Sequence, residues 1–143
     1  MLLNLLFFFF VVILNSVFCK PMVDVTKFSP EVRGLVKELH NSCKAKTNTE
    51  EIVLQQGNKG IFENDDKLKL YLLCIWEESA LMKDGELDRE ALVEIFPGDY
   101  KDIIPKLFMA CFDKFPNEKS TPDRVLKMYK CVLEADPEHF VIV

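Results

Sequence analysis

The side chains best equipped for chemistry are five cysteines, Cys19, Cys43, Cys74, Cys111 and Cys131, and two histidines, His40 and His139. A thiol can form a disulfide, ligate a metal or act as a nucleophile, and spacing separates these uses. There is no CxxC pair, so the sequence points to neither a zinc site nor a dithiol redox motif. Neither histidine stands in an HxxxH, HExxH or Cys/His ligand spacing. His40 is expected on the wet side of a helix and His139 in a tail, both solvated. The acidic clusters Asp65-Asp66 and Glu77-Glu78 read as helix caps and solvated faces. Asp84-Gly85-Glu86-Leu87-Asp88 faintly resembles a calcium loop, but its twelfth position is Ile95, where a bidentate glutamate is needed. Glycine-rich phosphate loops and GxSxG elements are absent. The reading is therefore of a non-enzyme, with no catalytic residue, metal or cofactor.

Structural cysteine chemistry remains, and it requires an oxidising compartment. The first nineteen residues carry no charge, and Leu5–Leu14 is an unbroken apolar run. That run is too short for a membrane span but suits a secretory signal peptide. Cleavage fits after Cys19, with Val17 two residues before it, or after Ser16, and the cut after Cys19 leaves an even set of four cysteines. The expected organisation is a signal peptide over 1–19 and a single secreted domain over 20–143, with no stable membrane anchor. The net charge of -5 argues against nucleic acid as a partner.

The elements that must carry these cysteines read as helices. Ser29-Pro30-Glu31 is a start signal, and Val32, Leu35, Val36 and Leu39 continue on one face, which predicts a helix over 29–45. Thr47 and Glu50 suggest a capping box for a short helix ending near Gly57. Asn64 or Asp65 caps a third helix over 65–82. Its stretch Leu70–Trp76 is apolar throughout, which predicts burial on all sides at the centre of the domain. Lys83-Asp84-Gly85 is a turn. Asp88 caps a fourth helix, with Leu87 and Leu92 as a hydrophobic staple, and Pro97-Gly98 stops it. A fifth helix runs over 99–115 with Pro105 inside it, and a sixth over 121–135. An apolar tail, Phe140–Val143, is expected to fold back over the domain. No strand-like alternation is found, so the fold class is all-α with six short helices.

Aromatic residues are plentiful for such a small domain: Phe28, Phe62, Phe96, Phe108, Phe112, Phe115 and Phe140 join Trp76 and three tyrosines. They fill a core, or they line an apolar cavity between short helices. Composition leaves both open, and a filled core would suit a secreted protein–protein interaction ligand.

The cysteine intervals add a further clue. Thirty residues lie between Cys43 and Cys74, thirty-six between Cys74 and Cys111, and nineteen between Cys111 and Cys131. This spacing resembles the insect odorant-binding protein family (pheromone and general odorant-binding proteins). That family has six cysteines, the second four residues before the third and the fifth nine before the sixth. The matching positions here are Leu70 and Pro122. These are the two ends of one family bridge, so the pattern looks like a four-cysteine, "minus-C" branch. The resemblance spans about residues 27–140, with the LMKDGELD stretch as further support. It implies the pairing Cys43–Cys74 and Cys111–Cys131, and six helices around a hydrophobic pocket for volatile or lipid-like molecules. From the helical faces, the expected pocket residues are Leu72, Leu73, Trp76, Met82, Leu92, Phe96, Ile103, Leu107, Phe108, Val125, Met128, Tyr129 and Phe140. Tyr129 offers a hydroxyl to orient a ligand. The expected partner is a small hydrophobic ligand, with a membrane receptor as an open second partner. The chain itself is expected as a monomer or weak homodimer.

Overall fold

The computed structural model describes residues 23, 25–62, 66–98 and 100–143. The expected leader over 1–19, the cap at Asn64 or Asp65 and the helix start at Asp99 lie outside them. After a short 3-10 turn, Val25–Lys27, six helices follow: α1 (Pro30–Thr47), α2 (Glu51–Asn58), α3 (Asp66–Glu78), α4 (Arg89–Ile95), α5 (Tyr100–Asp113) and α6 (Thr121–Ala135). Between α3 and α4 lies a two-stranded hairpin, β1 (Met82–Lys83) and β2 (Glu86–Leu87).

Helix α1 starts as its sequence dictates. The Ser29 hydroxyl accepts from the Val32 N–H at 3.3 Å, and Pro30 occupies the first turn, where a missing donor does no harm. The expected capping box at Thr47 and Glu50 does not form. Helix α1 runs past 45 and ends only at Asn48, which takes a left-handed conformation (φ 52°). Thr47 therefore sits in its last turn and donates to the Cys43 carbonyl oxygen at 2.7 Å. Glu50 precedes α2 without a side-chain capping bond. The buried Thr49 hydroxyl ties this corner to α3 by donating to the Lys67 carbonyl oxygen at 3.1 Å.

Helix α3 is shorter than expected. Ala80 adopts φ 58°, and the Leu81 N–H folds back to the Trp76 carbonyl oxygen at 3.0 Å. Met82 and Lys83 are thereby freed to pair with Leu87 and Glu86 around Asp84-Gly85. Both turn residues have positive φ, 52° and 80°, the conformation that makes Asp-Gly a favoured two-residue hairpin turn. This hairpin corrects the expectation that no strand would be found. Nor is α3 buried all round. Tyr71, Leu72, Ile75 and Trp76 are buried, but Leu70 is 47 % exposed. The helix packs between α1 and α6, which leaves one edge open.

Helix α4 begins at Asp88, whose carboxylate accepts from the Ala91 N–H at 2.9 Å. Helix α5 continues through Pro105, which is buried. The carbonyl that proline leaves unpaired belongs to Lys101, an exposed residue in the first turn, where water can serve it. Ser120 caps α6, with Pro122 in its first turn.

Two disulfides staple this bundle, Cys43–Cys74 between α1 and α3 and Cys111–Cys131 between α5 and α6. The core lies where α3, α5 and α6 meet, and Leu72, Phe112, Val125, Met128 and Val132 are fully buried there. The hairpin is held onto α6 by Arg124. Its guanidinium lies 3.5 Å from the Phe112 ring centre and donates to Glu86 at 3.0 Å.

Candidate ligand cavity

Between α1 and the α3–α6 core lies a cavity of about 380 Å3, within the usual size range for small-molecule sites. Its first wall is α1. Val32, Val36 and Leu39 recur at helical spacing and face it, flanked by Arg33, Lys37 and His40 one position on. The opposite wall comes from Ile75 and Trp76 of α3, Leu92 and Ile95 of α4 with Phe96 beyond it, and Ile104 and Phe108 of α5. Tyr129 of α6 forms part of the inner surface. Ser79 and Leu81 after α3, Val23 and Phe28 before α1, and Val141 and Val143 after α6 complete the boundary.

The inner end is an aromatic chain. Trp76 packs on Phe108 with ring centres 5.2 Å apart, Phe108 on Tyr129 at 5.5 Å, and Tyr129 on Phe140 at 6.1 Å. These contacts are tilted or edge-on, the arrangement that the ring quadrupole favours. The Trp76 Nε1–H donates to the Tyr129 hydroxyl oxygen at 3.1 Å. Among the described residues no acceptor takes the Tyr129 hydroxyl hydrogen, so this O–H is left as a donor among the aromatic rings of the inner wall. Burial pushes the Tyr129 phenol up to about 12, and the Trp76 bond offsets that only in part. The group therefore stays a neutral O–H at any physiological pH.

The segment after α6 closes one side. Asn58 at the end of α2 grips Ile142 twice, donating to its carbonyl oxygen at 2.9 Å and accepting from its N–H at 2.7 Å. Gly57 makes room for this, since a Cβ there would stand 2.8 Å from Ile142 Cδ1. The Tyr71 hydroxyl donates to the Val143 carbonyl oxygen and accepts from His40 Nδ1 at 2.9 Å. His40 Nε2 lies 3.3 Å from Glu51. Burial first, then the nearby Tyr129 and Glu51, push the Tyr71 phenol well above its ordinary range. His40 is thus not on the wet side of α1. It is half-buried, because its face of α1 is turned toward Tyr71. His139 also departs from expectation. Its Nδ1 lies 2.7 Å from Asp136, and its ring meets Tyr100 edge-on.

Of the residues expected at the pocket, Trp76, Leu92, Phe96, Phe108 and Tyr129 line the cavity. Leu72, Met82, Val125, Met128 and Phe140 are buried in the core outside its lining, and Leu73 and Leu107 pack half-buried against that core. Ile103 is 40 % exposed. Sequence reasoning missed the α1 wall. The available signal was the Val32, Val36, Leu39 stripe, which reads equally well as a core-facing surface. Among the described residues, no three His, Cys, Asp or Glu side chains are grouped to hold a metal ion. No helix among them is long and apolar enough to cross a membrane.

Among the described residues, six helices and two bridges around an apolar cavity open at its α1 edge define a small helical fold. The chain belongs to the PBP/GOBP family, whose model matches residues 26–135. It is 27 % identical over 124 residues to the B2 protein of Tenebrio molitor, covering 83 % of this chain and 93 % of that one. Its fold is similar to that of lmigOBP1, an odorant-binding protein of Locusta migratoria. The TM-score there is 0.67 at 25 % identity, over 78 % of this chain and 87 % of the other. Odorant-binding protein 5 of Apis mellifera matches in fold with a TM-score of 0.68 at 23 % identity, over 79 % and 95 %. The two disulfides place this chain with the four-cysteine type.

Proposed function

We propose that this protein is a secreted, non-enzymatic carrier that binds small hydrophobic molecules in the cavity between α1 and the α3–α6 core. The observation that carries this reading is the cavity itself. An apolar space of about 380 Å3 lined by Val36, Ile75, Leu92, Ile104 and Phe108 gains free energy when filled by apolar surface rather than water. Burial is worth about 25 cal/mol per Å2, and ordering the ligand offsets part of it, so affinities on the order of micromolar are expected. Family membership and a leader-like segment over 1–19 support secretion as a single domain over 20–143. The same cavity counts against a filled-core interaction ligand.

The test is obstruction. Val36 is half-buried and faces the cavity, so Val36→Trp adds a ring to the space without removing a core contact. Displacement of a fluorescent apolar probe, N-phenyl-1-naphthylamine, should show micromolar binding to the wild type. The variant should bind at least tenfold more weakly while its helical circular dichroism is unchanged. Equal binding by both would place the ligand elsewhere and defeat the proposal.

A further inference from the structure

The α1 wall carries two stripes that differ in chemistry. Val32, Val36 and Leu39 form the apolar one, and Arg33, Lys37 and His40 form a basic one beside it, at successive turns of the same helix. At one end of the basic stripe, Glu51 sits 3.3 Å from His40 and 2.7 Å from Lys44 and answers that charge. Arg33 and Lys37 differ. Both are exposed yet line the cavity, and among the described residues neither has a carboxylate within ion-pairing distance. The nearest acid to Arg33 in sequence, Glu31, is held low chiefly by the Ser29 hydroxyl and only slightly by Arg33. What sets these two cations apart is their place at the edge of an apolar cavity.

We infer that Arg33 and Lys37 form a head-group station, and that the cavity takes long-chain carboxylates with the hydrocarbon inside and the carboxylate at this rim. The inference rests on the carrier reading and narrows its ligand class. A guanidinium and an ammonium one helical turn apart can hold the two oxygens of a single carboxylate, Arg33 in a planar fork and Lys37 as a point charge. A fully buried position would make the acid shed its charge. At the rim the head stays hydrated on one side, so the anion is retained. The tail then runs past Val36 and Ile104 toward the aromatic end at Phe108.

The experiment compares dodecanoic acid with methyl dodecanoate, which share a chain and differ in charge. Each competes with N-phenyl-1-naphthylamine at pH 7.5, in the wild type and in Arg33→Gln/Lys37→Gln. Both changes are on exposed side chains, and the ester serves as an internal control for folding. Two exposed charge contacts should favour the acid about fivefold in the wild type. That preference should vanish in the double variant, with ester affinity unchanged, and should shrink between 20 mM and 500 mM salt. Equal binding of acid and ester by the wild type, or a preference that survives the double change, overturns the head-group station while leaving the carrier intact. Failure of the probe and both ligands to bind the wild type overturns the carrier reading itself.

Discussion

Tyr129 shows how one hydroxyl can give an apolar cavity a direction. It accepts from Trp76 at 3.1 Å, and its own hydrogen has no acceptor among the described residues. A ligand carbonyl or ester oxygen would complete it. Tyr129→Phe keeps the ring contacts with Phe108 and Phe140 but leaves the buried Trp76 N–H without its acceptor. It should therefore destabilise the fold by about 1–3 kcal/mol, read by denaturant unfolding. It should also weaken carbonyl-bearing ligands severalfold and leave matched hydrocarbons unaffected. Equal losses for both ligand classes would mean that the hydroxyl only supports Trp76. The direction was legible in part from the sequence, since a tyrosine on the buried stripe of α6 needs a polar partner. That the partner is Trp76, fifty-three residues away, was not.

At the scale of elements, the helices were legible wherever a side chain caps them. Ser29 and Asp88 mark starts that the backbone honours, and α6 begins at Thr121 as expected, with Ser120 as the cap before it. The end of α3 was not legible, because Ala80 is a good helix former that takes left-handed geometry only in the context of the hairpin. The face of α1 was legible as apolar, but periodicity cannot tell a packed neighbour from an empty space. The contact between α3 and α6 leads to a prediction. Lys69 on α3 reaches Asp123 on α6 at 2.8 Å, and their sequence neighbours Leu70 and Pro122 are the two positions where the family bridge is missing. Leu70→Cys/Pro122→Cys should form a third disulfide on oxidation, detected by mass spectrometry of the non-reduced protein. A closed loop of about fifty residues is worth up to roughly 4 kcal/mol, less strain and the loss of a proline at the helix start. Two free thiols in the folded variant would show that α3 and α6 diverge at that end.

For the molecule as a whole, the ion pairs give a pH profile. The Lys69 hydrogen bond holds the Asp123 carboxyl below its usual range, with Ser120 adding to it. The Lys127 ammonium does the same for Glu118, Arg89 for Asp113 and Lys44 for Glu51. A carboxylate whose folded pKa is depressed takes up its proton more readily when unfolded. Its stabilising effect is therefore complete above about pH 5 and is lost as pH falls through the depressed folded values. The melting temperature should be level between pH 6 and 8 and fall steadily below about pH 4. It should fall less in high salt, because these pairs are exposed and already screened there. A melting temperature that does not change down to pH 3 would show that the pairs contribute nothing.

The two disulfides also set the covalent map of the chain. Cys43–Cys74 closes a loop wholly before the hairpin, and Cys111–Cys131 closes one wholly after it. No bridge spans Asp84-Gly85, where the chain turns at the surface. A single nick in that turn would leave two looped fragments joined only by non-covalent packing, chiefly α3 on α6. The nicked protein would behave as one particle in buffer, yet separate into two bands on a denaturing gel run without reductant. The interface that holds those fragments together also backs the cavity. The molecule is thus, in its bonding, a heterodimer written on one chain, and its cavity shares the seam between the two halves.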